Sequence, residues 1–297
     1  MHAKISSQIK YLNHNDELQF MDVTVTDART VDLPSFDEIG FELVTHDSKL
    51  INYNHHDLSV NFWDPSKIRD TYYNELNEFL MERYQADIVF TAHHNMRYSG
   101  NMDDDIAKQR HVNAKHTSGV HTDFIPQMES RLLNFVQQLV NETDHGINYV
   151  KIKRSQRSYE QFDVSKCRSA IYHTWRNLGS KNPKSQFALL DPRSIDQSRK
   201  VESSWRNETP NLTINGKAHA ENHTIEYFRA VDNDPGDWYY FSNMVPSDLL
   251  IFKGWDSKYY YEGQTAYTVG HSGFSLPQEH LSPRWSTDGR TGLIWLP

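Results

Sequence analysis

The chain has 297 residues, enough to bury one large core or two small ones, and 37% of them are hydrophobic. With a mean hydropathy of -0.75 and no apolar run near the length of a membrane-spanning helix, no membrane association is expected. A net charge of -8 argues against a nucleic-acid binder, whose basic surface must displace counterions, and a single cysteine, Cys167, excludes an intramolecular disulfide.

The opening residues, MHAKISSQIKYLNHNDELQF, lack the apolar stretch of a secretory signal, so a cytoplasmic setting is expected. Residues 15–65 read as short strands and loops, with Thr24-Val25-Thr26 and Phe41-Glu42-Leu43-Val44 alternating as strands do. Asp64-Pro65 is a helix-start signal, and the apolar spacing after it predicts a helix over 65–84. Ala86 to Phe90 reads as a buried strand. The stripe Leu132, Phe135, Val136 and Leu139 predicts a second helix over 126–141. The basic run Lys151-Ile152-Lys153-Arg154 is short and reads as a solvated face.

Beyond Arg168 the character becomes β. Strands are predicted at 169–175, 187–191, 226–231, 238–241, 249–253 and 291–296, separated by turn signals such as Asn215-Gly216 and Asp234-Pro235-Gly236. Short strands at this spacing point to a sandwich or barrel. The simplest architecture is one domain over 1–297, mainly β with flanking helices, in which 1–84 is an N-terminal α/β extension packed on the β core.

Sixteen histidines make metal chemistry feasible and chance motifs common. Iron enzymes that activate O₂ often present two His and one carboxylate on one face of the metal. A His-x-Asp pair on a strand end can supply two of these, because side chains two apart point the same way. Three such pairs occur: His14-Asn15-Asp16, His55-His56-Asp57 and His121-Thr122-Asp123. Only the third has neighbours that suit a half-buried strand, and it precedes the β-rich half. The competing reading is a hydrogen-bonded His–Asp pair or a helix cap.

A third ligand should be a His on a later strand. His271 follows the β-prone run Tyr267-Thr268-Val269 and is flanked by glycines. His173, His219, His223 and His280 compete with it. If 2-oxoglutarate is the co-substrate, its far carboxylate needs a cation soon after the distal His, and the planar fork of arginine suits it. Arg284 and Arg290 both qualify. Arg290, at the entry to the last strand, is the preferred candidate, with an exposed strand-edge arginine as the alternative.

Around these residues the sequence resembles the CmcJ/AsaB-type hydroxylase/desaturase family, from roughly residue 85 to the C-terminus. Val89-Phe90 with Asn95 and Arg97 loosely resembles its F-D-H-x-x-R segment, and Val120 to Phe124 its H-x-D block. His173 to Leu178 resembles N-x-W-R-P, and Phe187 to Ser194 resembles P-L-A-L-C-D-x-x-S. Trp238 to Phe241 and Met244 to Ser257 resemble W-Y-Y-F…P-x-E-x-L-x-F-K-x-x-D-S. His271 to Phe274 and Pro283 to Arg290 resemble H-T-x-F…P-R-x-S-x-x-x-R. Asn177 stands where the block has proline, and Trp285 where an acidic residue is usual.

The resemblance implies a double-stranded β-helix (jelly-roll, cupin-like) core and an Fe(II)- and 2-oxoglutarate-dependent oxygenase. Such an enzyme uses O₂ to hydroxylate, desaturate or cyclise a small-molecule metabolite, in natural-product biosynthesis. It further implies His121, Asp123 and His271 as iron ligands and Arg290 as the 2-oxoglutarate clamp. Candidate substrate-binding residues are Trp175, Arg176, Arg97 and Asn95, with Tyr259-Tyr260-Tyr261 in the pocket wall. For Arg176 the alternative is an ion pair with Asp191 or Asp256. The cluster Trp238 to Phe241 reads as core, and Cys167 as a buried bystander. Two other readings stand beside this one: an iron oxidase or lyase on the same core without 2-oxoglutarate, and a non-catalytic β-barrel binding protein. The sequence carries no signal for oligomeric state.

Overall fold

The computed structural model describes residues 3–54, 60–99, 119–126, 129–130, 132–134, 150–152, 166–179, 181, 183–207, 213–214, 217–218, 221–276 and 284–295. The strands of its first half are β1 (Lys4–Leu12), β2 (Leu18–Asp27), β3 (Phe41–Thr45), β4 (Ile88–Tyr98), β5 (His121–Thr122) and β6 (Val150–Ile152). Those of its second half are β7 (Arg168–Asn177), β8 (Ser185–Leu190), β9 (Lys200–Asn207), β10 (Thr213–Ile214), β11 (Lys217–Ala218), β12 (Glu221–Phe228), β13 (Trp238–Tyr240), β14 (Asp248–Asp256), β15 (His271–Ser275) and β16 (Trp285–Trp295).

Two sheets carry the fold. One runs β1-β2-β13-β8-β15-β5-β12-β9 and the other β3-β14-β7-β16-β4-β6, with β10 and β11 as a separate ribbon. The chain crosses between the sheets at β7 to β8 and again at each step from β13 to β16. That alternation makes the expected jelly roll. The eight-stranded sheet also curls: β1 pairs with β2 throughout, while Lys10 O accepts from Val120 N–H and Leu12 O from Ala230 N–H, both at 2.8 Å.

The pleat sorts the side chains into layers. On β7 and β14, Tyr172, Leu249 and Ile251 face one way and join a core built with Leu76 and Leu80 of the helix α1 (Tyr73–Tyr84). Trp175, Leu250 and Phe252 face the other way and meet Leu189 of β8 between the sheets. Ala188 and Leu190 of β8 turn into the curl with Val25, Phe228 and Trp238. Of the cluster expected as core, Trp238, Tyr240 and Phe241 are buried and Tyr239 is partly buried.

The helix anticipated over 65–84 forms as one continuous segment with a π turn at Ile68–Tyr72 ahead of α1. Asp64 accepts from the N–H groups of Ser66 and Lys67, with Pro65 in the first turn. Gln85, at φ 53, ends it. Residues 129–130 and 132–134 are helical, and the rest of the segment anticipated as helix over 126–141 lies largely outside the described residues. Among the described residues no helix is long and apolar enough to cross a membrane.

Candidate metal centre

His121 and His271 are paired residues on adjacent antiparallel strands, β5 and β15. Paired residues project from the same face, so the two imidazoles meet, with ring centroids 4.3 Å apart. Asp123 follows β5 by one residue, and its Oδ1 lies 3.5 Å from His121 Nε2 while its Oδ2 lies 3.5 Å from His271 Nε2. The donor atoms of these three side chains all lie within 4.8 Å of one another. Gly119, at φ 104, makes the turn into β5; a side chain there would strike Leu18.

The backbone sets both rings. His121 Nδ1 is 2.8 Å from Gly119 O, and His271 Nδ1 is 3.2 Å from Val269 O. Each Nδ1 therefore donates to a carbonyl, which turns the Nε2 atoms toward Asp123. Burial, with His271 adding to it, pushes His121 down to about 4, so its imidazole is neutral near pH 7. Burial opposes ionisation of Asp123, but Arg290 and then the two histidines outweigh it and hold the carboxyl well below its ordinary range. Two imidazole nitrogens and one carboxylate, converging from one side, suit a divalent metal of the non-haem iron type.

The triad closes one part of a cavity. Its wall is a run of aromatic rings. Trp175 stacks on Phe187 (5.2 Å, 12°), Phe187 touches Phe252, and Phe252 stacks on His173 (4.7 Å, 9°). Arg284 lines the cavity too, buried, with its guanidinium 5.1 Å from the Trp175 ring and Nη1 donating to Ser185 O. Burial, with Arg97 adding to it, pushes Arg284 down to about 9. Arg97 and Asp288, joined at 2.6 Å, complete the polar lining. Burial lowers the Arg97 pKa, but Asp288 outweighs it and raises the value above the ordinary range.

Not every expected site residue reaches the cavity. Arg290, preferred as the carboxylate clamp, is not among the lining residues described; its Nη2 lies 3.5 Å from Asp123 Oδ1. Arg176 is fully buried on the opposite face of β7, against Tyr72 Oη, His46 and the carbonyls of His46 and Pro246. Neither expected ion pair forms, since Asp191 binds Arg193 and Asp256 binds Arg168. Trp175 faces inward and Arg176 outward because neighbours on a strand alternate. Asn95 stands behind Asp288, its Nδ2 donating to Oδ2 at 3.4 Å. Of the tyrosine run, Tyr259 packs on Lys253 and Tyr261 is exposed, so the run does not form the wall. His14 is exposed in the β1–β2 turn. His55-His56-Asp57 lies outside the described residues.

The cavity is also lined by residues not among the expected site residues: Phe187, Phe252, Asp288 and His173, the last expected only as a rival third ligand. For His173 the signal was present: it lies two residues from Trp175 on one strand, so both share a face.

The family model for an oxidoreductase/YMDC permease-like domain matches residues 3–294. Hydroxylase/desaturase efuI of Hormonema carpetanum is 25% identical over 269 residues, which cover 88% of this chain and 79% of that protein. Among solved structures, the iron and alpha-ketoglutarate-dependent endoperoxidase NvfI superposes with a TM-score of 0.70 at 16% identity over 99% of each chain. The same protein in a different conformation gives 0.71 at 15% identity, over 100% of this chain and 99% of that one. At such identity the likeness carries the jelly-roll fold.

Proposed function

The chain belongs to the oxidoreductase/YMDC permease-like domain family, and on that premise we propose that it is an Fe(II)- and 2-oxoglutarate-dependent oxygenase. It hydroxylates or desaturates a small-molecule metabolite in natural-product biosynthesis. The observation that carries this reading is one cavity lined both by the His121, Asp123 and His271 donor set and by the buried cation of Arg284. The names of the relatives support it: one is a hydroxylase/desaturase, the other an iron and alpha-ketoglutarate-dependent endoperoxidase.

His121 Nε2, His271 Nε2 and a carboxylate oxygen of Asp123 hold the metal. Bound iron, with 2-oxoglutarate and O₂, supplies the power to break an unactivated C–H bond while the co-substrate becomes succinate and CO₂. Arg284, and not Arg290, takes the far carboxylate of 2-oxoglutarate, because of the two it is the one among the described lining residues, while Arg290 lies 3.5 Å from Asp123 and Arg97, the other lining arginine, is paired with Asp288. Its burial makes a bidentate pairing there strong. Trp175, Phe187 and Phe252 exclude water along the wall and fix where a bound molecule can lie. The ion pair of Arg97 with Asp288 presents polar groups to the substrate's side of the same space. A buried lining arginine favours an anionic co-substrate over an oxidase or lyase that uses none.

The test is spectroscopic. Fe(II) and 2-oxoglutarate added without oxygen should give a visible metal-to-ligand charge-transfer band in the wild type and none in Asp123→Ala. Absence of the band in the wild type, or an identical band in the variant, sinks the proposal.

A further inference from the structure

Among the described residues His173 is the one lining histidine outside the donor set, and both nitrogens and one face of its ring have defined surroundings. It sits on β7 directly opposite Arg290 of β16 in the strand register. The pair projects from the six-stranded sheet toward Asp123, which follows β5 of the facing sheet. Arg290 Nη2 approaches Oδ1 at 3.5 Å, and His173 Nδ1 approaches Oδ2 at 3.8 Å. One carboxylate thus lies between two groups of a single cross-strand pair.

The ring has little freedom. One face stacks flat on Phe252, and the Nε2 edge rests on Gly254, where β14 shifts register between Lys253 and Trp255. A Cβ at position 254 would stand 2.5 Å from Nε2. Gly254 is therefore the seat of this imidazole. Nε2 is buried and has no hydrogen-bond partner among the described residues.

That last fact selects the tautomer. A neutral imidazole carries one N–H. Placed on Nε2, it would be a buried donor facing a methylene group. Placed on Nδ1, it faces an ionised carboxylate, the stronger kind of acceptor. We propose that His173 is a positioning residue of the metal centre, its Nδ1–H directed at Oδ2 of Asp123. It fixes which carboxylate oxygen is presented to the metal, as partners behind metal ligands do. With its proton on Nδ1 and its Nε2 turned onto Gly254, His173 does not serve as a fourth ligand. This assignment rests on the reading of His121, Asp123 and His271 as the ligands.

Metal-free protein, titrated anaerobically with Co(II) and no 2-oxoglutarate, tests it through the visible d–d absorption. His173→Leu, similar in size but without a donor, is expected to weaken Co(II) binding by about 10- to 100-fold. His173→Asn sets an amide N–H near the place of Nδ1–H and should stay within about threefold of wild type. Wild-type affinity in His173→Leu, or equal loss in both variants, overturns the proposal. Asp123→Ala runs alongside and should lose the site; if it binds as wild type does, the ligand assignment itself has failed. Should His173→Leu not fold, long-range ¹H–¹⁵N correlations of the Zn(II)-loaded wild type decide, with His173 identified by its loss in His173→Asn. The proton must reside on Nδ1, and an Nε2–H tautomer refutes the assignment.

Discussion

At the scale of single residues the two arginines near the end of the chain have separate tasks. Arg284 is buried, close to a second cation, Arg97, and held at about 9 by burial first and that neighbour second. A carboxylate delivered to it relieves both penalties. Arg290 already has Asp123 within 3.5 Å. Arg284→Met should therefore raise the dissociation constant of 2-oxoglutarate by an amount equivalent to about 2–5 kcal/mol, the usual cost of removing one partner of a buried charged pair. Arg290→Met should change it by less than about 1 kcal/mol, as an interaction outside the contact would. Anaerobic titration of the charge-transfer band measures both, and the reverse ranking would restore Arg290 as the clamp. Sequence could not rank them. They lie six residues apart on or beside one strand, so they share a face, and only the three-dimensional position of Asp123 separates them. Arg176 was different. Period two, applied to Trp175, already put Arg176 outside and His173 inside. The three donor residues were legible as a set, because His-x-Asp before a β-rich half and a later strand histidine are what such a site requires.

Among the elements, β16 ties the site to the fold. It pairs with both β7 and β4 along nearly its whole length, and it carries Asp288 and Arg290. Gly292 lets it lie against the Phe90 ring: a Cβ there would come within 2.3 Å of Phe90 Cζ. Phe90 is itself buried in β4. Gly292→Ala should destabilise the protein by about 1–3 kcal/mol, the common cost of overpacking a core. Thermal unfolding against wild type checks this, and an unchanged midpoint would show that Phe90 can move. Strands of this kind were readable because they are dense in apolar, aromatic and β-branched residues. The strands β7, β8, β13 and β14 and the end of β16 were all located that way. β1 and β9 were missed. β1 reads KISSQIKYL, and only its last four residues include buried ones, so its polar half resembles a loop until β2 pairs with it. β5 is two residues long, too short for any periodic signal.

The whole molecule encloses several imidazoles as neutral groups. His46 is pushed down to about 4 by burial and then Arg176, His121 to about 4 by burial and then His271, and His173 to about 3 mainly by burial. An unfolded histidine titrates near 6.5. Below that value the unfolded chain binds protons that the folded chain refuses, so stability rises with pH across the interval and is lost as pH falls. Each such group costs about 1.4 kcal/mol per pH unit once the pH is well below 6.5 and above its folded value. Three together approach about 4 kcal/mol per unit, a large share of the 5–15 kcal/mol typical of a folded domain. Asp123 acts in the same direction but lower, because its depressed carboxyl contributes stability above about pH 4 that protonation removes. The urea midpoint of the metal-free protein should thus change little between pH 8 and 7 and fall steeply between pH 6 and 5. His46 lies outside the cavity, so His46→Phe offers a separate check: the fall should become shallower by about one group's share, near 1.4 kcal/mol per unit. A midpoint flat from pH 7 to 5 would mean that these rings take up protons within the fold. Bound metal should deepen the acid sensitivity, since protons and metal compete for Nε2 of His121 and His271 and metal stabilises only the folded state.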